Sequence, residues 1–293
     1  MLDIVPVTTN IGAEVRGVQL SETTPEQVAV SLRQALAVHG VLFLRDQRLT
    51  LDGLKSLARS FGTPMVLPYI RPVDGEPEVI AVRKEADERG GVFGGDWHTD
   101  FSFLEVPPAG SILTADVVPP VGGDTIWASG SRAWETLPEP VQALLAARDA
   151  IHVGKPYGAR WAPPVAERAG GSMVMSRGDP AADAERAHPA VLRNPLTGRA
   201  SLFLNPLYVL RLDGMSEAES RPILDLIQRH ATRPEFSVRW RWQAGDVAIW
   251  DNLFTQHYAV NDYDGHRRLM HRTTFSGMAP RALAAFPPAL SAK

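Results

Sequence analysis

The pattern that most constrains the fold lies at residues 236–242, where Phe, Val and two Trp residues alternate with Ser and two Arg residues. Alternation with a period of two is typical of a β-strand with one buried face. A second strand-like run, 246–251, follows the Ala244-Gly245 turn, and we expect the two runs to pair as a hairpin. The apolar run 40–45 predicts a short strand that is buried on both faces.

Strand-like runs dominate the chain, and its 24 glycine and 24 proline residues are spread evenly between them. This even distribution of glycine and proline is typical of many short strands joined by turns. Helices are predicted for three segments in which apolar residues recur at helical spacing: 24–39, 51–61 and 216–231. Sequences rich in short strands close their sheets into sandwiches or barrels. We therefore predict a mainly β fold with helical additions, a jelly roll, as a single domain over residues 1–293.

Residues 155–190 show no clear periodicity and are rich in Gly, Pro, Ala and acidic residues. An irregular loop of this length in a compact domain is usually either functional or disordered. The segment therefore fits a lid over a pocket or a mobile surface insertion, and the pattern alone does not choose between them.

Composition excludes several classes of function. The chain has no cysteine, which excludes disulfides, thiolate zinc sites, iron–sulfur clusters and cysteine nucleophiles. Its net charge of -3, with both signs mixed throughout, gives no reason to expect a nucleic acid or a membrane surface as partner. The N-terminus lacks the features of a secretory signal, and no run approaches the roughly 20 apolar residues that span a bilayer. We expect a cytoplasmic protein.

The chemistry of the chain is concentrated in His98 and Asp100, which form a His-x-Asp pair, and in the remote His257. Two residues apart on an extended segment, His98 and Asp100 point to the same face, about 7 Å apart along the chain. Two imidazoles and one carboxylate make up the facial triad, which holds Fe(II) on one face and leaves the other free for oxygen and substrate. The alternative is that each histidine is an ordinary surface or core residue.

A basic segment follows His257. If residues 269–275 form a strand, Arg268, Met270 and Arg272 share one face of it. Arg268 lies far enough beyond His257 for a turn and a return strand to bring its guanidinium beside the metal, where it could grip a carboxylate through two hydrogen bonds. The alternative is a basic, solvated strand edge.

These motifs together resemble the Fe(II)- and 2-oxoglutarate-dependent dioxygenases of the taurine dioxygenase type, the TauD/TfdA-like family. The resemblance covers nearly the whole chain, through 11–15, 39–47, 96–100, 107–108, 122–125, 240–242, 250–252 and 271–273. It implies a double-stranded β-helix, which is a relative of the jelly roll, and a homodimer or homotetramer. It also implies that 2-oxoglutarate and O2 are consumed, that succinate and CO2 are formed, and that a C–H bond of the substrate is hydroxylated.

The resemblance assigns roles to individual residues. The iron ligands would be His98, Asp100 and His257. Arg268 resembles the arginine that pairs with the distal carboxylate of 2-oxoglutarate, and Thr125 resembles the hydroxyl that binds the same group. Arg272 resembles the second arginine of the site, which lies close to both the cosubstrate and the substrate anion.

The chain departs from the taurine enzyme around the substrate. Gly94 stands where that enzyme has a sulfonate-binding Asn, and Arg71 stands where it has a sulfonate-binding His. We expect Gly94, Tyr208 and Arg272 to contact the substrate, and Arg71, Arg272 or both to bind its negative charge. Segments 75–79 and 83–86 also resemble the bacterial aryloxyalkanoate dioxygenases.

The expected substrate is therefore a small organic anion: a sulfonate, a sulfate ester, an aryloxyalkanoate or a related acid. Two other functions fit the same triad. One is a jelly-roll protein that binds a metal or ligand without turnover, since fold alone does not establish catalysis. The other is a zinc or manganese hydrolase, although such an enzyme would need a general base and would have no use for Arg268.

Overall fold

The computed structural model describes residues 2–21, 23–161, 173–277, 280 and 282 of the 293-residue chain. Within these residues the chain forms five α-helices: α1 (Glu26–His39), α2 (Leu51–Arg59), α3 (Gly130–Glu135), α4 (Glu139–Ala146) and α5 (Glu217–Ala231). The three predicted helices are confirmed as α1, α2 and α5, whereas the short helices α3 and α4 were not predicted. None of the helices in the described ranges is long and apolar enough to cross a bilayer.

The remaining regular structure is β. The strands are β1 (Asp3–Pro6), β2 (Ala13–Arg16), β3 (Val41–Leu44), β4 (Val79–Lys84), β5 (Gly110–Val117), β6 (Thr125–Ser129), β7 (Asp149–His152), β8 (Arg186–Pro189), β9 (Val191–Arg193), β10 (Ala200–Leu202), β11 (Val209–Leu212), β12 (Ser237–Trp240), β13 (Val247–Asp251), β14 (Thr255–Ala259) and β15 (Arg268–Phe275). The predicted mainly β fold with helical additions is confirmed.

Two sheets position the site. The larger has seven strands in the order β1-β2-β3-β13-β5-β15-β4, and the smaller has the order β12-β6-β14. Their inner side chains pack against each other: Phe43 of β3 stacks on Trp240 of β12 with ring centroids 4.1 Å apart. Helices α1 and α2 cover the outer face of the larger sheet. As predicted, β3 is buried on both faces, because it lies between these two apolar layers.

The predicted hairpin is wrong. β12 pairs with β6, and β13 lies between β3 and β5 in the other sheet. The alternating residues of β12 need cover on one face only, whereas β13 is apolar on both faces and needs cover on each. The Asp246 carboxylate shapes the connection between them, since it accepts hydrogen bonds from Gln243 N at 2.8 Å and Trp240 Nε1 at 3.2 Å.

Part of the segment 155–190 lies outside the described residues, namely 162–172. The described remainder includes a 3-10 helix, Pro180–Asp183, and strand β8. Met175 forms an isolated bridge with Ile70, so this part of the segment packs onto residues near 70.

Candidate active site

The two predicted histidine ligands meet at the edge of the smaller sheet. His98 forms a bridge with His257 of β14: His98 N donates to His257 O at 3.0 Å, and His257 N donates to His98 O at 2.8 Å. Both side chains are buried, and their ring centroids are 4.1 Å apart. A pair of backbone hydrogen bonds therefore fixes the spacing of the two imidazoles.

Asp100 is held by a clamp that the sequence did not reveal. Asp100 N donates to Asn252 Oδ1 at 2.7 Å, and Asn252 Nδ2 donates to Asp100 O at 2.9 Å and to Pro108 O at 2.9 Å. Asn252 is fully buried directly after β13. Its amide thus fixes the backbone of Asp100 through both hydrogen-bonding groups of that residue. The only available signal was its place in the 250–252 motif.

The Asp100 carboxylate is ionised although it is buried. Burial alone would raise its pKa, but the Arg272 guanidinium beside it holds that pKa well below the ordinary value. Arg272 NH1 donates to Oδ1 at 2.8 Å, and Ser111 Oγ donates to Oδ2 at 3.1 Å. The carboxylate is thus charged and oriented, as a metal ligand must be.

His257 is in the matching protonation state, and His98 has the matching orientation. Burial lowers the pKa of His257 well below its ordinary value, so its imidazole is neutral and has a free nitrogen lone pair. His98 Nδ1 lies 2.7 Å from the carbonyl oxygen of Asp96, to which it donates when it carries the proton. That contact leaves Nε2 of His98 as the ligating nitrogen.

The cluster fits one metal ion. One ligand atom from each of His98, Asp100 and His257 lies within 4.8 Å of the others. Two of the separations are 3.6 Å (His98 Nε2 to Asp100 Oδ1) and 3.8 Å (His257 Nε2 to Asp100 Oδ2). Nitrogen and oxygen ligands about 2.0–2.2 Å from a shared ion are at most roughly 4.4 Å apart. Two imidazoles and one carboxylate are also the donor set that non-haem Fe(II) takes.

Two buried guanidinium groups face the same space. Arg268 and Arg272 are 4% and 3% exposed, on the inner face of β15 as predicted. Among the described residues, Nε of both arginines and the second terminal nitrogen of Arg272 have no hydrogen-bond partner. Burial lowers the pKa of Arg268, which reflects the cost of keeping its charge out of water. Unpartnered N–H groups on buried cations indicate that an anion belongs here.

We call this space the inner cavity. Its lining includes Gly94, Thr125, Trp127 and the triad histidines besides the two arginines. Thr125 Oγ1 accepts a hydrogen bond from Trp242 Nε1 at 3.0 Å, so its own proton is free to be donated into the cavity. An open pocket of about 530 Å³, the outer pocket, adjoins it and shares Val82, Phe93 and Arg268. The outer pocket therefore lies directly beside the cavity that the two triad histidines line.

The residues predicted to contact the substrate are only partly brought together. Gly94 lines the inner cavity, where a Cβ would lie 3.1 Å from Cε1 of His98. Tyr208 is buried in an aromatic cluster, 5.0 Å from Phe103 between ring centroids, and its hydroxyl is hydrogen-bonded to that of Tyr157. The Arg71 side chain is 65% exposed, lies 3.5 Å from Asp74 and is not among the residues that line either space. Binding of the substrate anion by Arg71 stays a prediction without structural support.

Comparison with known proteins identifies the family. Residues 3–274 match the family model described as "Taurine catabolism dioxygenase TauD, TfdA family". The chain belongs to the TauD/TfdA family. It is 38% identical to the alpha-ketoglutarate-dependent sulfate ester dioxygenase of Pseudomonas putida, over 95% of this chain and 91% of that protein. It is 36% identical to the alkylsulfatase of Acinetobacter baylyi, over 94% and 85%.

Solved structures agree with this assignment. A crystal structure of a taurine dioxygenase from Burkholderia xenovorans matches with a TM-score of 0.79 and 32% identity, covering 96% of this chain and 93% of that one. The resemblance recognised from the motifs is therefore confirmed, and the further similarity to aryloxyalkanoate dioxygenases is confirmed as well. The chain is a 2-oxoglutarate-dependent dioxygenase of a family that requires Fe(II), 2-oxoglutarate and O2.

Proposed function

We propose that this TauD/TfdA-family enzyme hydroxylates a C–H bond of a small organic anion and converts 2-oxoglutarate and O2 to succinate and CO2. One observation carries the proposal: the two histidines of the three-ligand cluster line the same cavity as two buried arginines whose N–H groups lack partners among the described residues. A metal site alone would need no further cations. Their presence calls for an anionic cosubstrate or substrate beside the metal.

The proposed iron ligands are His98, Asp100 and His257. Iron and 2-oxoglutarate, when bound, supply the oxidation, and the protein supplies orientation and exclusion of water. We assign Arg268 and Thr125 to the distal carboxylate of 2-oxoglutarate, since a guanidinium and a free hydroxyl proton suit that group. Arg272 orients Asp100 through one terminal nitrogen and has its remaining N–H groups free for the cosubstrate or the substrate anion.

Further assignments rest on the family and on packing. The two facing sheets support a double-stranded β-helix, or jelly roll, and residues 1–293 are assigned to one dioxygenase domain. The outer pocket is lined in part by Met173, Met175 and Arg177. This supports the interpretation of 155–190 as a lid rather than as a mobile surface insertion. A cytoplasmic location and a homodimer or homotetramer stay predictions.

The substrate class follows from the relatives. Two similar proteins are named for sulfate esters and alkyl sulfates, and we carry that class over to this chain. Hydroxylation of the carbon that bears the sulfate would let the product collapse to an aldehyde or ketone and release sulfate. A jelly-roll protein that binds metal without turnover is not favoured, because the matched relatives are named as enzymes. A zinc or manganese hydrolase would leave Arg268 without a partner.

The test is succinate formation from 2-oxoglutarate by the Fe(II)-loaded protein in air. We would score it with a panel of alkyl sulfates, sulfonates, aryloxyalkanoates and amino acids, together with substrate-dependent oxygen consumption. We expect succinate in proportion to an organic anion consumed. Metal binding with no succinate from any member of the panel would favour the non-catalytic alternative.

A further inference from the structure

A short antiparallel contact decides which basic side chains reach the outer pocket. Ile70 and Met175 form a bridge, flanked by hydrogen bonds from Arg71 N to Val174 O at 3.0 Å and from Ser176 N to Tyr69 O at 2.8 Å. Paired residues of an antiparallel contact point to one face, and their neighbours in sequence point to the other. Ile70 is buried, so Arg71 and its partner Val174 point outwards, and both are exposed.

The same alternation turns another arginine inwards. Residues 173, 175 and 177 are partly buried, whereas 174 and 176 are exposed. Met173, Met175 and Arg177 accordingly line the outer pocket together with Phe93 and Val82. The basic residue on the pocket side of this contact is therefore Arg177, and the one on the solvent side is Arg71.

Arg177 is available to a ligand. Its one hydrogen bond in the described part of the chain runs from NH1 to Pro156 O at 3.4 Å, and no carboxylate pairs with it there. Lys84 of the same pocket is bound to Asp264 at 2.6 Å and to Asn261 at 2.8 Å. Arg89 also lines the pocket but is exposed. Arg177 thus combines partial burial with an uncompensated charge.

Arg177 also lies beside a buried tyrosine. Its NH1 donates to the carbonyl oxygen of Pro156, and burial raises the pKa of the adjacent Tyr157 to about 12, a rise that Tyr208, Arg272 and Arg177 oppose.

We propose that Arg177, and not Arg71, binds the anionic group of the substrate, while Met173, Met175, Phe93 and Val82 receive an apolar chain. The substrate class is an organic monoanion with a hydrocarbon chain, such as an alkyl sulfate or sulfonate. Methionine side chains adapt to chains of varied shape, which suits a hydrocarbon. This inference rests on the proposed function and names the residue that selects its substrate.

The test is equilibrium binding to the full-length protein loaded with Mn(II) and 2-oxoglutarate, so that no turnover occurs. The probe is hexyl sulfate, and 1-hexanol is its uncharged counterpart. Arg177→Gln should weaken hexyl sulfate binding by about tenfold to a hundredfold, because a charge-assisted contact is lost. Arg177→Lys should restore part of it. Binding of 1-hexanol and of 2-oxoglutarate should not change, which also shows that the variant is folded.

Arg71→Gln is the matched control, and it should bind hexyl sulfate within about twofold of wild type. In turnover, Arg177→Gln should raise KM for the sulfate with little effect on kcat. Loss of binding in Arg71→Gln instead of Arg177→Gln would overturn the proposal. So would a wild-type protein that binds hexyl sulfate, hexanesulfonate and hexanoate no more tightly than 1-hexanol. In that case succinate formation with another substrate would still uphold the proposed function.

Discussion

Two spaces lined by described residues differ in how their charged groups are partnered. The inner cavity lies between the two sheets and is lined by the two triad histidines and by Arg268 and Arg272. A second space of about 270 Å³, the far cavity, has a mostly apolar lining that includes Leu36 of α1, Leu192 of β9, and Phe61 and Phe254. The far cavity is roomy and mostly apolar. Its apolar lining alone would point to it as the binding site.

One aspartate in each space shows why the inner cavity is the functional one. Asp100 has Arg272 at 2.8 Å and two imidazoles beside it, and its pKa is held low. Asp251 lines the far cavity; burial raises its pKa to about 7, and the backbone N–H groups of Leu253 and Phe254 offset only part of that rise. Buried charges that converge and lack partners indicate a ligand-binding site. The arginines that line the far cavity, Arg33 and Arg193, already donate hydrogen bonds to Glu26 and to the carbonyl oxygen of Gly198.

The largest difference between the two spaces is expected when a metal ligand is removed from the inner cavity. His98→Ala leaves two protein ligands, too few for a facial site. We expect loss of measurable Fe(II) binding and of succinate formation, with the fold retained by circular dichroism. The control is His266→Ala, an exposed histidine outside both cavities, which should behave as wild type. Succinate formation by iron-bound His98→Ala would refute the triad.

The next largest effect is expected at Arg268. Arg268→Ala should weaken the binding of 2-oxoglutarate by about 2–5 kcal/mol, which is the usual range for truncating one partner of a buried charge pair. Arg268→Lys should recover only part, because lysine offers a point charge. The neighbouring Arg267 points to the other face of the chain, is 47% exposed and pairs with Glu85 at 3.1 Å. Arg267→Ala is therefore the matched control. An equal effect in both variants would contradict the assignment of Arg268 to the distal carboxylate of 2-oxoglutarate.

For the far cavity we expect a substitution to change the stability of the protein and to leave its activity unchanged. The folded pKa of Asp251 is about 7, above the unfolded value of about 3.9. Between these values the unfolded chain has lost a proton that the folded chain keeps, so stability falls as pH rises and the loss is complete above pH 7.

Asp251→Asn should abolish this dependence. The variant should be more stable than wild type at pH 8 by about 2 kcal/mol, roughly half of the full linkage value because the side chain is not completely enclosed. The difference should shrink at pH 5.5, and succinate formation should be unaffected. Urea unfolding at both pH values measures it. A pH dependence identical to that of wild type would contradict the raised pKa.

Local periodicity explains what the sequence could predict. The alternation in β15 placed Arg268 and Arg272 on one buried face, and the residue types of the triad indicated the metal chemistry. Strand pairing is a non-local property. The partner of β12 is β6, far earlier in the chain, and nothing in the pattern at 236–251 distinguishes that pairing from a hairpin.

The orientation of Arg71 could not be predicted for the same reason. Arg71 and Arg177 are distant in sequence, and only the contact between Ile70 and Met175 determines which of them points inwards. Asn252 was overlooked because its role depends on meeting Asp100 across the fold. Residue types thus predict which chemistry is present, while tertiary contacts decide which of several similar residues performs it.

The smallest effect is expected at Gly94, which has φ +79° and would place a Cβ 3.1 Å from Cε1 and 3.6 Å from Nε2 of His98. Gly75 has φ +80° but nothing within 4 Å of its Cβ position. Alanine at either site should cost roughly 1–2 kcal/mol of stability through the left-handed backbone. Only Gly94→Ala should also displace the imidazole of His98. Fe(II) binding should then weaken by about tenfold, which is typical when the orientation of a metal ligand is disturbed. Fe(II) titration of both variants separates backbone strain from the contact, and equal affinities would mean that His98 tolerates a side chain at this position.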